Sequence, residues 1–154
     1  MINKRNIQGV LVILILLTGV GCSLNNKPVD NTATSNNSQS SEVEKIELFH
    51  FHGNSQCYSC VTVGDYAEET VKTYFADELE SGKIVFGHIN AELPENMDTV
   101  IKYGATGSSL WIGVYRKDGS FSKEENTNVW YKINNKQDYM DYLKQILEQK
   151  LSDS

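Results

Sequence analysis

The chain predicts an α/β fold: four strands in one mixed sheet, in the order β-α-β-α-β-β-α, with helices on both faces. Three observations carry this expectation. The run Glu44–Phe51 is apolar on both parities, with Ile46 and Leu48 on one and Phe49 and Phe51 on the other. A central strand covered on two sides has that pattern. A long amphipathic stretch and a second short apolar run follow it, and strand–helix–strand at these lengths implies a right-handed parallel crossover. The chain then shows two more strand patterns, which can pair as a hairpin, and a last amphipathic helix.

Two segments of different composition precede the domain. Lys4 and Arg5 make a short positive region, Val10–Leu17 is apolar, and small residues lead up to Cys22. The apolar run is shorter than the roughly 20 residues a spanning helix needs, and the order is that of an export leader. It resembles a bacterial lipoprotein signal. Gly21 fits the position before the cysteine, while Gly19 stands where leucine is usual. The resemblance implies removal of residues 1–21, lipid attachment at Cys22, and an extracytoplasmic protein anchored to a bacterial cell membrane. Residues 22–43 are rich in Asn, Ser and Thr and include Pro28. Such a segment cannot bury enough surface to offset its ordering entropy, so it reads as a disordered tether. Residues 44–154 are the folded domain, long enough to bury a real core.

Within the domain, Glu44–Phe51 is the first strand and His52–Ser55 a loop. From Tyr58 to Glu80 the pattern is one helix, with Ala67, Val71, Tyr74, Phe75 and Leu79 on a single stripe. Gly64 sits early in it, at a propensity cost of about 1 kcal/mol, and permits a kink or close packing. Gly82 stops the helix. Lys83–Asn90 is the second strand, Glu95–Tyr103 a short helix and Leu110–Tyr115 the third strand. Lys117–Gly119 turns the chain, and Thr127–Ile133 is expected as the fourth strand, with Val129, Tyr131 and Ile133 alternating. Gln137–Leu151 is the final helix.

Charge and cysteines narrow the chemistry. Lys and Arg total 14 against 20 Asp and Glu, a net charge of −6. Loss of the leader takes that to about −8. An acidic domain without a basic stripe is not expected to bind nucleic acid. The chain has three cysteines. Assigning Cys22 to lipid leaves Cys57 and Cys60, in the spacing Cys-x-x-Cys. One bond closing so small a loop adds little stability, which points to chemistry or metal at this pair. A sulfur at a helix start meets unpaired N–H groups and the positive end of the dipole, which favour thiolate. Cys57 is then the outer, attacking sulfur and Cys60 the resolving one.

Three readings of the pair stay open. Reversible thiol–disulfide exchange with a protein partner is the first. A zinc or copper(I) site is the second, built from Cys57, Cys60 and His52, with His50 as a further donor. A static disulfide in a non-catalytic accessory subunit is the third. His52 lies past the strand, five residues before Cys57, and is placed to accept the Cys60 proton. His50 and His88 lie within strands and read as structural.

The strand leading to Cys57-x-x-Cys60 at a helix start, with the later Lys102–Leu110 segment, resembles the thioredoxin-like superfamily. Within it, Phe51-His52-Gly53, the cysteine pair, Tyr103 and Ser108-Ser109-Leu110 resemble the nitrophenyl compound nitroreductase subunit ArsF family. The superfamily resemblance implies a thioredoxin-like fold over about Glu44–Ser154 and redox work at Cys57 and Cys60. No flavin- or nicotinamide-binding fingerprint appears, so no cofactor is expected and nitroreduction is not carried over. Two positions depart from thioredoxins. Ser109 stands where they place a cis-proline, and Phe51 where they place a buried acid, which leaves His52 as the nearest substitute for that acid.

Overall fold

The computed structural model describes residues 41–153. The leader, Cys22 and the tether up to residue 40 lie outside the described residues. The elements are β1 (Val43–His52), α1 (Tyr58–Tyr74), α2 (Ala76–Glu80), β2 (Ile84–Asn90), α3 (Met97–Tyr103), β3 (Ser109–Arg116), β4 (Phe121–Glu125) and α4 (Lys136–Ser152). The sheet order is β2-β1-β3-β4. β2 runs parallel to β1, while β3 is antiparallel to both β1 and β4. This is a mixed four-stranded α/β fold of thioredoxin-like kind, as the sequence predicts.

β1 is central because it is apolar on both faces. Ile46 and Leu48 face α1 and α4 and pack with Ile84, Leu110 and Ile112 of the sheet, Val63, Ala67 and Val71 of α1, and Leu143 and Leu147 of α4. Each such side chain contributes about 1.5–3 kcal/mol when fully buried. The Tyr139 hydroxyl donates to the Val63 carbonyl at 2.7 Å and fastens α4 to α1. On the other face Phe51 packs with Tyr103 of α3 and Ala105, flanked by Phe49, Ile89, Trp111 and Phe121.

That second face also buries Glu47, which the sequence reading had not singled out. Its carboxylate accepts from Lys45 Nζ at 2.7 Å, Tyr103 Oη at 2.8 Å, Tyr115 Oη at 2.6 Å and Lys102 Nζ at 3.3 Å. Burial works to raise its pKa. The bonds from Lys45, Tyr115 and Tyr103 and the Lys102 charge outweigh burial and bring the pKa down to about 2. The cluster ties the end of α3 to the middle of the sheet.

Two elements differ from the expectation. The helix predicted from Tyr58 to Glu80 breaks at Phe75, where φ is −133° and ψ 37°. Phe75 drops into the core, at 4% exposure, whereas α2 beyond it has no buried residue. So short and polar a segment gains too little from packing to continue the axis. The fourth strand is Phe121–Glu125, not Thr127–Ile133, and Thr127–Tyr131 is a 3-10 turn. The hairpin closes at once after β3: Gly119 takes φ 83° and donates to the Arg116 carbonyl at 2.9 Å. The returning strand is a polar edge with only Phe121 turned inward, so it carries no alternation to read. Tyr131 is 85% exposed while Val129 is fully buried, which is turn spacing and not a strand face.

Candidate functional site

β1 ends at His52, and the chain crosses Gly53–Gln56 to α1. Cys57 is the N-cap of that helix, extended at φ −78° and ψ 164°. Its Sγ accepts from the Cys60 N–H at 3.1 Å, so the sulfur takes the place that an oxygen side chain fills in other helices. Cys57 and Cys60 are disulfide-bonded, with Cα atoms 5.0 Å apart. Cys57 is exposed and Cys60, one turn in, is half-buried. The outer and inner positions expected from the spacing are therefore those the fold provides. Tyr58 is 81% exposed and Val61 40%, which puts an apolar rim beside the sulfurs.

The loop before Cys57 is held from the neighbouring strand end. The Asn54 N–H donates to Glu92 Oε1 at 3.0 Å, and its side-chain amide donates to Glu92 Oε2. Asn90 Nδ2 donates to Asn54 Oδ1 at 2.8 Å, and the Ala91 N–H to the His52 carbonyl at 2.7 Å. A Cβ at Gly53 would lie 2.5 Å from Glu92 Oε1, so a side chain there would displace the Glu92 carboxylate from this loop.

Under the start of α1 all three histidines of the chain meet. His50 and His52 share a parity on β1, and the register places His88 of β2 beside His50. Ring centroids are 5.5 Å apart for His50 and His52, stacked, and 5.2 Å for His50 and His88. His50 Nδ1 lies 3.0 Å from His88 Nδ1. His88 Nε2 lies 3.6 Å from Glu68 Oε2 of α1, with both side chains 36% exposed. His50 is 1% exposed and its Nε2 has no hydrogen-bond partner, although the ring faces the backbone of Cys60. Burial, then the charges His88 and His52 would carry, lower its pKa to about 4; the Cys60 carbonyl pulls the other way. A Cβ at Gly64 would lie 2.7 Å from Cε1 and 2.9 Å from Cγ of this ring, and closer still to Nδ1. Gly64 is there for close packing.

No protein-family model matches the chain. No curated protein matches it at a significant level.

The sequence-predicted residues fall as follows. Cys57 and Cys60 are joined. His52 is half-buried at the strand end, with Nδ1 2.9 Å from the Gly53 carbonyl and its ring on His50. Ser109 opens β3 opposite Phe51, buried, its Oγ donating to the Gly107 carbonyl and accepting from Trp111 Nε1, each at 3.0 Å. Phe51 faces α3, away from the helix that carries the sulfurs. Polar groups on the cysteine side of β1 come from the other parity, His50 and His52. Among the described residues no group of three or more His, Cys, Asp or Glu is arranged to hold a metal ion. In this oxidised form the sulfurs of Cys57 and Cys60 are bonded to each other, and His52 Nδ1 is engaged with the Gly53 carbonyl.

Sequence reasoning missed Glu68 and the joining of His50 to His88. A signal was present in the His-x-His spacing on one parity. Its partner stands 38 residues away, at a position only the strand register identifies.

Proposed function

We propose that this protein is a membrane-tethered, extracytoplasmic thiol–disulfide oxidoreductase that exchanges electrons with a protein partner through Cys57 and Cys60. One observation carries the reading: an isolated Cys-x-x-Cys disulfide caps α1 at the carboxyl end of the central strand, outer sulfur exposed and inner sulfur half-buried. In the reducing direction, the Cys57 thiolate attacks a partner disulfide, and one partner sulfur leaves. Cys60 then loses its proton and attacks Cys57 Sγ. The Cys57–Cys60 bond forms, the bond to the partner breaks, and two electrons have passed to the partner. The Cys60 N–H and the helix start favour the Cys57 thiolate. His52, at the end of β1 with its ring stacked on His50, is the residue to which we assign acceptance of the Cys60 proton.

The tether rests on the lipoprotein-like leader ending at Cys22. The resemblance to the ArsF family stands beside this reading and adds no substrate to it. Tyr58 and Val61 offer apolar surface of the kind a protein partner covers.

The deciding experiment is a redox titration, with free thiols trapped by an alkylating mass tag. A midpoint between about −120 and −270 mV is expected for an exchanging pair. A pair that stays oxidised below about −300 mV is a structural disulfide, and the reading fails.

A further inference from the structure

We propose that the outer edge of β2 is the surface through which two copies of this chain pair, strand against antiparallel strand, about a twofold axis at Gly87. The proposal stands apart from the redox reading and uses neither cysteine.

Among the described residues the sheet has two edges, β2 and β4, and they differ in kind. β4 carries Lys123, Glu124 and Glu125, charges that resist pairing with another chain. β2 is seven residues long, Ile84 to Asn90, and holds no Lys, Arg, Asp, Glu or Pro. Its register with β1 runs without a bulge. None of these three devices blunts it as an edge.

The backbone of β2 points half its groups outward. The Ile46 N–H donates to the Lys83 carbonyl at 2.8 Å, and the Ala91 N–H to the His52 carbonyl at 2.7 Å. Odd-numbered residues of β2 therefore turn their N–H and C=O toward β1, and even-numbered ones turn theirs away. The outward groups of Phe86 and His88 have no hydrogen-bond partner among the described residues. Ile84 is covered, at 1% exposure, so the open edge starts at Val85. Val85 and His88 are exposed, and Phe86, Gly87 and Ile89 are half-buried. Gly87 is the middle of that stretch.

The glycine says what approaches. Inside a strand, glycine weakens pairing and marks a bulge, a bend or the close approach of another backbone. There is no bulge at Gly87, and its φ is not positive. A Cβ there would meet the side chains of Phe49 and Ile89 at 3.4 and 3.5 Å, an ordinary contact. Nothing within the domain demands glycine at this place, and a second backbone accounts for it.

That backbone is a second copy, because the open edge is its own complement. Antiparallel pairing about Gly87 sets Phe86 opposite His88 of the second copy, and Val85 opposite Ile89. Aromatic meets aromatic, β-branched meets β-branched, and no like charges are opposed. Phe86 and His88 of opposite copies exchange both backbone hydrogen bonds. Gly87 meets itself in a non-hydrogen-bonded pair, where Cα atoms come to about 4.5 Å. So short a ladder falls below the roughly 1,000 Å² that a stable interface clears, which makes the pair a transient one.

The test is crosslinking of the full chain in the membranes of the cells that make it. Gly87→Cys is oxidised with copper phenanthroline, and dimer on a non-reducing gel is read in excess of the wild-type background. Cysteines facing each other at the axis fall within the Cα range of a disulfide, about 4.4–6.8 Å. Gly87→Cys is expected to give covalent dimer. Val85→Cys is expected to give at least about tenfold less, since in this register its copies stand about 14 Å apart along the strands. Adding Val85→Lys to Gly87→Cys charges the edge and is expected to cut the dimer by about tenfold. If Gly87→Cys does not fold, Val85→Cys combined with Ile89→Cys decides, because those positions meet across the axis. Dimer from Gly87→Cys no greater than that from Val85→Cys overturns the pairing, and so does dimer indifferent to Val85→Lys. Either result leaves the redox titration of Cys57 and Cys60 untouched.

Discussion

Replacing Gly64 by alanine tests the packing of the site against the ordinary arithmetic of helices. In an exposed helix interior, Gly→Ala stabilises by about 1 kcal/mol. Here the new methyl would enter the His50 ring, within 3 Å of Nδ1, Cε1 and Cγ together. The ring has nowhere to turn, since Nδ1 is joined to His88, His52 stacks on it and it is 1% exposed. Overpacking a buried site costs about 1–3 kcal/mol, and a rigid ring met on three atoms belongs at the upper end. Net destabilisation of about 1–2 kcal/mol is expected in urea unfolding of the oxidised protein. In a His50→Ala background the same change has room and should stabilise by up to about 1 kcal/mol. The coupling between the two sites is then about 2–3 kcal/mol. A Gly64→Ala protein that is about 1 kcal/mol more stable than wild type would mean that the His50 ring does not lie against α1.

Two further outcomes are open to measurement. Glu47 titrates below an unfolded carboxylate, so its stabilisation is present above about pH 4.5 and is lost as the pH falls toward about 2. Urea midpoints of the wild type should fall more steeply over that window than those of Glu47→Gln, and parallel curves would remove the role given to the cluster. Cys22→Ser should release the protein from the membrane fraction of the cells that make it, and retention at the wild-type level would defeat the lipid anchor.

What the sequence made legible follows from which residues carry redundant signals. β1 announced itself because a strand covered on two sides must be apolar on both parities. The cysteine pair was legible because its spacing and its place after that strand agree. β4 was not, because an edge strand of Ser122, Lys123, Glu124 and Glu125 is polar on purpose: charged edges resist pairing with another chain. Val129, Tyr131 and Ile133 then supplied a false strand, since spacing of two residues arises in a tight turn as readily as in a sheet. In the site, His52 drew attention by standing nearest to Cys57 in the chain. The more deeply buried His50 lay inside an apolar run, where a histidine looks like filler, and its meaning depends on His88 and Gly64. Glu47 was hidden for the same reason: three of its four hydrogen-bond partners, Lys102, Tyr103 and Tyr115, come from distant elements.

The hydrogen bond from the Cys60 N–H to Cys57 Sγ changes in strength with the oxidation state of the sulfur it serves. A disulfide sulfur is a weak acceptor, whereas a thiolate makes a charge-assisted bond. This one hydrogen bond therefore contributes more to the first turn of α1 when the pair is reduced. By linkage, anything that frays this turn takes more from the reduced form than from the oxidised form, and lowers the protein's pull on electrons. Tyr58 and Val61 project from that turn into solvent, and Val61 is β-branched, a poor helix former. Helix propensity at positions that hold no proton and carry no sulfur thus becomes a dial on the reduction potential, one that substitutions on the exposed rim can turn without altering either cysteine.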